Sequence, residues 1–74
     1  MGGYEKSDFE LVEERNGFEI RQHPESYHYY VFLPQYEAVY ITDFLHVGNA
    51  RDFCDEEDPA AWENWLDDRM LQPL

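Results

Sequence analysis

Negative charge is the feature that most restricts how this chain folds. Seventeen Asp and Glu residues face five Lys and Arg in 74 residues, which gives a formal net charge of −12. Like charges repel most strongly in the compact state, and a chain this short buries only about 60% of the surface that its unfolded form exposes. The core therefore needs large apolar side chains. Five Phe, six Tyr and two Trp supply them, and they separate this sequence from disordered acidic tails.

The length predicts a single domain over residues 1–74, with residues 1–7 as a loose N-terminal segment. Cys54 is the only cysteine, so no disulfide forms within the chain, and a reducing compartment is expected. The longest uninterrupted apolar run covers residues 29–33, far too few for a membrane span or a signal-peptide core. We therefore expect a soluble, cytoplasmic protein.

The stretch DFELVEERNGFEIRQ predicts a first β-hairpin, because Asn16-Gly17 is a strong turn signal between two extended segments. A two-residue turn would place Glu14 opposite Glu19, and like charges in that position are destabilising. A four-residue loop would instead place Glu10 opposite Arg21. We expect the longer loop.

A second hairpin is predicted from YHYYVFL (residues 27–33) and YEAVYIT (residues 36–42), separated by Pro34-Gln35, at the centre of the sheet. Both faces of its first strand carry aromatic residues. Two arrangements remain open: helices cover one face and tyrosines form an exposed contact surface on the other, or the strand is buried on both sides.

Two helices are predicted after the strands. Asn49 followed by Asp52 resembles a capping pattern for the first helix, and Asp58-Pro59 supplies an N-cap and first position for the second. The second helix carries one apolar stripe, formed by Trp62, Trp65, Leu66 and Met70. The predicted fold class is α+β, with a four-stranded antiparallel sheet of two hairpins followed by two short C-terminal helices packed on one face.

The acids are concentrated in two groups. The first lies on the predicted helices, in a segment without Lys or Arg: Asp52, Asp55, Glu56, Glu57, Asp58, Glu63, Asp67 and Asp68. The second lies on the first hairpin, where Arg15 and Arg21 dilute it: Glu10, Glu13, Glu14 and Glu19. Both groups are candidate partner-binding residues, and the candidate aromatic contacts are Tyr30, Tyr36 and Tyr40.

The positions of the helical acids favour a function over simple solubility. Several fall near predicted helix C-termini, where an acid opposes the helix dipole by about 0.3–1 kcal/mol. Acids four residues apart on a helix are about 6 Å apart along its axis, of the same order as neighbouring phosphates on a nucleic-acid strand. A basic groove that neutralises phosphates can accept such a polyanion instead.

In composition the chain resembles the phage-encoded inhibitors of bacterial defence, the anti-CRISPR and antirestriction proteins that act as DNA mimics. The resemblance covers the whole short, acidic, aromatic-rich chain and is clearest in RDFCDEEDPAAWENWLDD. It implies an inhibitor in the host bacterial cytoplasm that binds a CRISPR effector complex or a nuclease. It implies no individual site residue.

Catalytic and metal-dependent functions have little support in the sequence. His23, His28, His46 and Cys54 show no metal-ligand spacing, and no nucleophile lies in an elbow or triad pattern. Net charge disfavours direct binding to nucleic acid. We therefore expect no enzymatic activity, no cofactor and no metal site.

The residues alone leave three functions open. The first is a DNA-mimic inhibitor of a basic nucleic-acid-binding protein. The second is an immunity protein or antitoxin that neutralises one nuclease toxin, and the third is a structural adaptor whose acidity serves solubility. Each acts as a monomer or small homo-oligomer, without membrane contact.

Overall fold

The fold is a four-stranded antiparallel sheet followed by two helices that pack on it. A computed structural model describes residues 6–36 and 39–71, the last three as backbone only. The strands run in the order β1-β2-β3-β4 across the sheet. The elements are β1 (Glu10–Arg15), β2 (Phe18–Gln22), β3 (Tyr29–Phe32), β4 (Thr42–Phe44), α1 (Val47–Glu56) and α2 (Pro59–Leu71). The predicted α+β class and its element order are confirmed.

The main core lies between the sheet and the helices. Strand residues that point to the helical face alternate with residues that point away, so β2 and β3 contribute Phe18, Ile20 and Val31. From the helices, Ala50 and Cys54 of α1 and Leu66 of α2 fill the same core. Partly buried aromatic residues extend this core toward its edge: Tyr29, Phe44, Phe53 and Trp62.

A smaller cluster covers part of the other face of the sheet, so Val31 and Phe32 of β3 are buried on opposite faces, whereas Tyr29 and Tyr30 are only partly buried. The second of the two predicted arrangements therefore holds at one end of β3 and not at the other. The chain enters through a 3₁₀ turn, Lys6–Asp8, that brings Phe9 against Phe32 and Tyr30 with ring centroids 5.4 and 5.0 Å apart. Lys6 is buried, so the segment predicted as loose is anchored from this residue onward. Residues 1–5 lie outside the described part of the chain.

The expected register of the first hairpin is wrong. Glu14 pairs with Glu19 and Arg15 with Phe18, so the turn contains only Asn16 and Gly17. Both turn residues have positive φ, 51° and 85°, as a type I′ turn requires. The Asn16 side chain donates hydrogen bonds to the carbonyl oxygens of Cys54 (2.7 Å) and Glu57 (3.2 Å). These bonds to the end of α1 favour the tight turn despite the like-charge pair.

The second hairpin also differs from the prediction. Its return strand is β4, which starts at Thr42 and lies at the edge of the sheet, whereas residues 36–42 at the centre were expected. The register places Tyr29 opposite Phe44 and Val31 opposite Thr42, which leaves a long connection. Leu33 and Tyr36 in this connection are buried in the core. Apolar residues that looked like strand residues instead fill the core from a loop.

Helix starts are predicted well at one site and poorly at the other. The Asp58 side chain accepts a hydrogen bond from the backbone N–H of Ala60 at 3.0 Å, which confirms it as the N-cap of α2. Helix α1 begins at Val47, with His46 as N-cap and no side-chain capping bond, rather than at the Asn49 pattern. The structure thus starts this helix three residues earlier than the capping pattern predicts.

Candidate functional site

The basic side chains determine which acids are available to a partner. On the sheet face away from the helices, Lys6 lies 2.9 Å from Glu19 and Arg21 donates to Glu19 at 3.0 Å. Lys6 also donates to the carbonyl oxygens of Leu33 and Pro34 at 3.1 and 3.0 Å. Burial alone would raise the pKa of Glu19, but these cations outweigh it and hold that pKa below its ordinary value.

A second ion-pair network joins β1 to α1. Arg15 donates to both carboxylate oxygens of Asp55 at 2.8 Å, and Arg51 donates to Glu13 at 2.5 Å. Arg15 also donates to Glu13 at 3.3 Å, which completes the network. Hydrogen bonds from these arginines lower the pKa of both carboxyls, with Arg51 the main cause for Glu13 and Arg15 for Asp55.

These two networks contain every Lys and Arg side chain that the structure describes: Lys6, Arg15, Arg21 and Arg51. Three of the candidate partner-binding acids, Glu13, Glu19 and Asp55, are therefore engaged within the fold. Four cations against three carboxylates leave +1 in the networks. Of the total of −12, the other fourteen acids and Arg69 then account for −13.

Three more candidate acids on the helical segment have local roles. Glu57 accepts a hydrogen bond from the indole Nε1 of Trp62 at 2.9 Å, and Asp58 caps α2. Asp67 accepts a short hydrogen bond from the Tyr36 hydroxyl, which raises the pKa of Tyr36 to about 12. These acids remain partly or fully exposed, but their replacement would also disturb the fold.

Four acids on the helices are exposed and form no ion pair or hydrogen bond through their side chains within the described residues: Asp52, Glu56, Glu63 and Asp68. We call this set the helix-face acids. Asp52 and Glu56 are four residues apart on α1, about 6 Å along its axis. Glu56 lies in the last turn of α1, where the negative end of the helix dipole disfavours an acid and no basic residue offsets it. Stability does not explain this placement.

The remaining candidate acids, Glu10 and Glu14, lie on β1, an edge strand of the sheet. Both are exposed, and neither is paired with a cation of the described residues. Exposed charges on an edge strand also oppose pairing with other chains. They add to the negative field but lie on a different element from the helix-face acids.

The three candidate tyrosines do not form one surface. Tyr36 is buried in the core, and its hydroxyl also donates to the Glu63 carbonyl oxygen at 3.3 Å, so the structure does not place its ring on a contact surface. Tyr30 and Tyr40 lie together on the sheet face opposite the helices, with ring centroids 4.7 Å apart. A flat partner surface that covers the helix-face acids cannot also cover these two rings.

The described part of the chain also bears on metal binding, cysteine reactivity and membrane spans. No group of three or more His, Cys, Asp or Glu side chains there has the geometry to hold a metal ion. Cys54 is fully buried, and burial raises the pKa of its thiol to about 11, which makes it a poor nucleophile. No helix among residues 6–36 and 39–71 is long and apolar enough to cross a membrane.

Comparison with known proteins gives no match: no family model, no curated protein and no solved structure is similar to this chain. Evidence for function therefore comes from the arrangement of charges. Sequence reasoning missed the internal use of Lys6 and Arg51, because Glu19 and Glu13, the carboxylates that they contact, lie far from them along the chain. Only Arg15 and Arg21, within two residues of Glu13 and Glu19, left a local signal.

Proposed function

We propose that this chain is an acidic, non-enzymatic inhibitor that binds a basic nucleic-acid-binding protein by mimicking the charge of DNA. A CRISPR effector complex or a nuclease is the expected partner. The observation that carries the proposal is the segregation of charge. Each described cation is paired inside the fold, and the helix-face acids are left without counter-charges.

In the proposed contact, the carboxylates of this chain take the place of DNA phosphates opposite the Lys and Arg residues of the partner. A groove of Lys and Arg gains affinity when it neutralises phosphates and releases counterions. On α1, Asp52 and Glu56 are about 6 Å apart along the helix axis, a spacing of the same order as that of neighbouring phosphates. The net charge of −12 adds long-range attraction, which raises the association rate.

The test begins with a panel of basic proteins: CRISPR effector complexes, restriction endonucleases and nuclease toxins. Binding of each to a labelled DNA duplex is measured by fluorescence anisotropy while the chain is added. We expect competitive displacement of DNA from at least one member. Polyglutamate of equal total charge serves as the control, and it should displace DNA much less well because it lacks a fixed surface.

Variants then identify the surface. Asp52→Asn/Glu56→Gln/Glu63→Gln/Asp68→Asn keeps side-chain size and removes four charges that have no partner within the described part of the chain. We expect the inhibition constant to rise about tenfold or more, with the melting temperature unchanged or higher. Asp55 and Asp67 are kept, because their pairing with Arg15 and Tyr36 would mix a binding effect with a folding effect.

A matched pair of variants distinguishes the effect of where the acids lie from the effect of net charge on inhibition. Asp52→Asn/Glu56→Gln and Glu10→Gln/Glu14→Gln each remove two exposed acids, the first pair from α1 and the second from β1. The proposal predicts the larger loss of inhibition for the α1 pair. Equal losses would mean that net charge, and not the helical surface, determines binding. If no member of the panel loses DNA, the proposed function is wrong for these classes of partner.

A further inference from the structure

The sheet face opposite the helices has an aromatic cluster that opens to solvent at Tyr40. Beneath it, the Phe9 ring packs edge to face against Tyr30 and Phe32, with ring centroids 5.0 and 5.4 Å away. The Tyr40 ring lies 4.7 Å from Tyr30 at an interplanar angle of 82° and 6.4 Å from Phe32. Tyr40 keeps 47% of its surface exposed, which is a large fraction for an aromatic side chain supported by two others.

The carboxylate of Asp43 lies beside Tyr30 on this face. Asp43 of β4 is directly opposite Tyr30 of β3, so both side chains lie on this face of the sheet. Burial is the main cause of a raised pKa at Tyr30, and the charge of Asp43 and the neighbouring Tyr40 raise it further. Asp43 is 37% exposed, and the described residues bond only its Oδ2, at 2.9 Å from the Nδ1 of His28.

The Lys and Arg side chains on this face of the sheet do not pair with Asp43. Lys6 and Arg21 lie on the same face, but both contact Glu19, two residues after the end of the hairpin turn. Among the described residues, His28 alone pairs with Asp43. Tyr30, Tyr40 and the partly exposed Asp43 thus share one face of the sheet. Arg21 lies opposite Tyr30 on the β2 side of this face, but its guanidinium pairs with Glu19.

We propose that Tyr30, Tyr40 and Asp43 form a receptor for an arginine side chain of a basic protein partner. A planar guanidinium stacks on an aromatic face and donates to a carboxylate at its edge, whereas the compact ammonium of lysine does not match both groups at once. This site goes beyond the charge mimicry of the helices. The molecule is 17 Å thin in its shortest dimension and would present two separate binding faces.

Peptide titration followed by NMR tests the receptor directly. The labelled chain is titrated with a Gly/Ser peptide that carries two arginines, and then with the same peptide carrying two lysines. We expect shifts of the Tyr30 and Tyr40 ring signals and of the Asp43 amide, with the arginine peptide bound about 2- to 5-fold more tightly than the lysine peptide.

Two substitutions of Tyr40 distinguish the effect of its aromatic ring from the effect of its size. Tyr40→Phe retains the aromatic face and should retain affinity, whereas Tyr40→Leu should weaken arginine-peptide binding about 2- to 5-fold. Asp43→Asn should reduce the preference for arginine, and Tyr40→Leu/Asp43→Asn should weaken binding about tenfold. The amide spectrum of each variant reports whether the sheet remains folded, and Asp43→Asn alone tests the site if Tyr40→Leu disturbs it.

The helix-face variant with four neutralised acids distinguishes this proposal from the proposed function. If it loses inhibition of DNA binding but keeps the arginine-dependent shifts at Tyr30 and Tyr40, the two faces act separately, as proposed. Shifts confined to α1 and α2 would overturn the receptor and leave charge mimicry intact. Equal affinity of Tyr40→Leu and Tyr40→Phe would also overturn it.

Discussion

Replacement of Glu19 by Gln tests whether this acid stabilises the fold instead of binding a partner. The change removes the carboxylate that pairs with Lys6, a side chain only 5% exposed, and with Arg21. Loss of one member of a buried ion pair costs about 3–5 kcal/mol. Lys6 keeps the carbonyl oxygens of Leu33 and Pro34, so we expect the lower end, about 3 kcal/mol. In a domain of this size that lowers the melting temperature by about 12–24 °C.

Thermal unfolding followed by circular dichroism measures this effect, with Glu14→Gln as the matched control. Glu14 lies directly across the strand pair from Glu19 and is exposed without a described cation. Its replacement should change stability by less than about 0.5 kcal/mol, in the stabilising direction because a like-charge pair is relieved. Equal melting temperatures for Glu19→Gln and the wild type would refute the reasoning, since Glu19 would then hold neither cation.

The pH dependence of the same variant has a defined sign. The pKa of Glu19 is lowered in the folded state from an ordinary value of 4.5, so its ion pairs stabilise the fold above that pH. This stabilisation is lost as the pH falls from there through the lowered folded-state pKa. The difference in stability between wild type and Glu19→Gln should therefore be largest near neutral pH and shrink in acid. A difference that grows with acidity would contradict the pairing.

Two further predictions concern the contact between the first turn and α1. Asn16→Gly removes the hydrogen bonds to the Cys54 and Glu57 carbonyls and should cost about 1–2 kcal/mol in urea unfolding. Asn16→Ala should cost about 1 kcal/mol more because alanine is strained at a φ of 51°, and equal stability of the two variants would contradict a left-handed turn. The buried Cys54 thiol, with its pKa raised to about 11, should react with a thiol reagent only as fast as the protein opens. Rapid labelling that urea does not accelerate would show that this side of α1 is open to solvent.

The fold was largely predictable because its signals are local. Asn16-Gly17 and Asp58-Pro59 each encode their structure within two or three residues, and the structure places a turn and a helix start there. The hairpin register was not predictable from pair charges, because Asn16 reaches residues about forty positions away and Lys6 neutralises Glu19 from outside the hairpin. The return strand was misplaced for a related reason. Apolar residues near Tyr36 pack into the core from a loop, and an alternating apolar pattern does not distinguish such loop residues from strand residues.

The candidate site was predictable as a region but not as a set of residues. A run without Lys or Arg identifies the acidic helices, yet it cannot show that Asp55 pairs with Arg15 or that Asp67 pairs with Tyr36. Alternation along β3 predicts that Tyr30 and Val31 lie on opposite faces of the sheet. The burial of Tyr36 depends instead on how α2 packs against the segment between β3 and β4, which the sequence pattern does not show. The structure therefore leaves four exposed helical acids as the proposed contact surface, and it places the partly buried Tyr30 and the exposed Tyr40 on the opposite face of the sheet.

Salt dependence of partner binding tests the central proposal most directly. The dissociation constant of the chain and an inhibited partner is measured from about 50 to about 200 mM salt, for the wild type and for the helix-face variant. We predict that wild-type binding weakens steeply with salt, and that removal of Asp52, Glu56, Glu63 and Asp68 flattens the slope as well as reducing affinity. A shallow wild-type slope, or one that the four neutral substitutions leave unchanged, would contradict binding by DNA charge mimicry and favour the adaptor alternative.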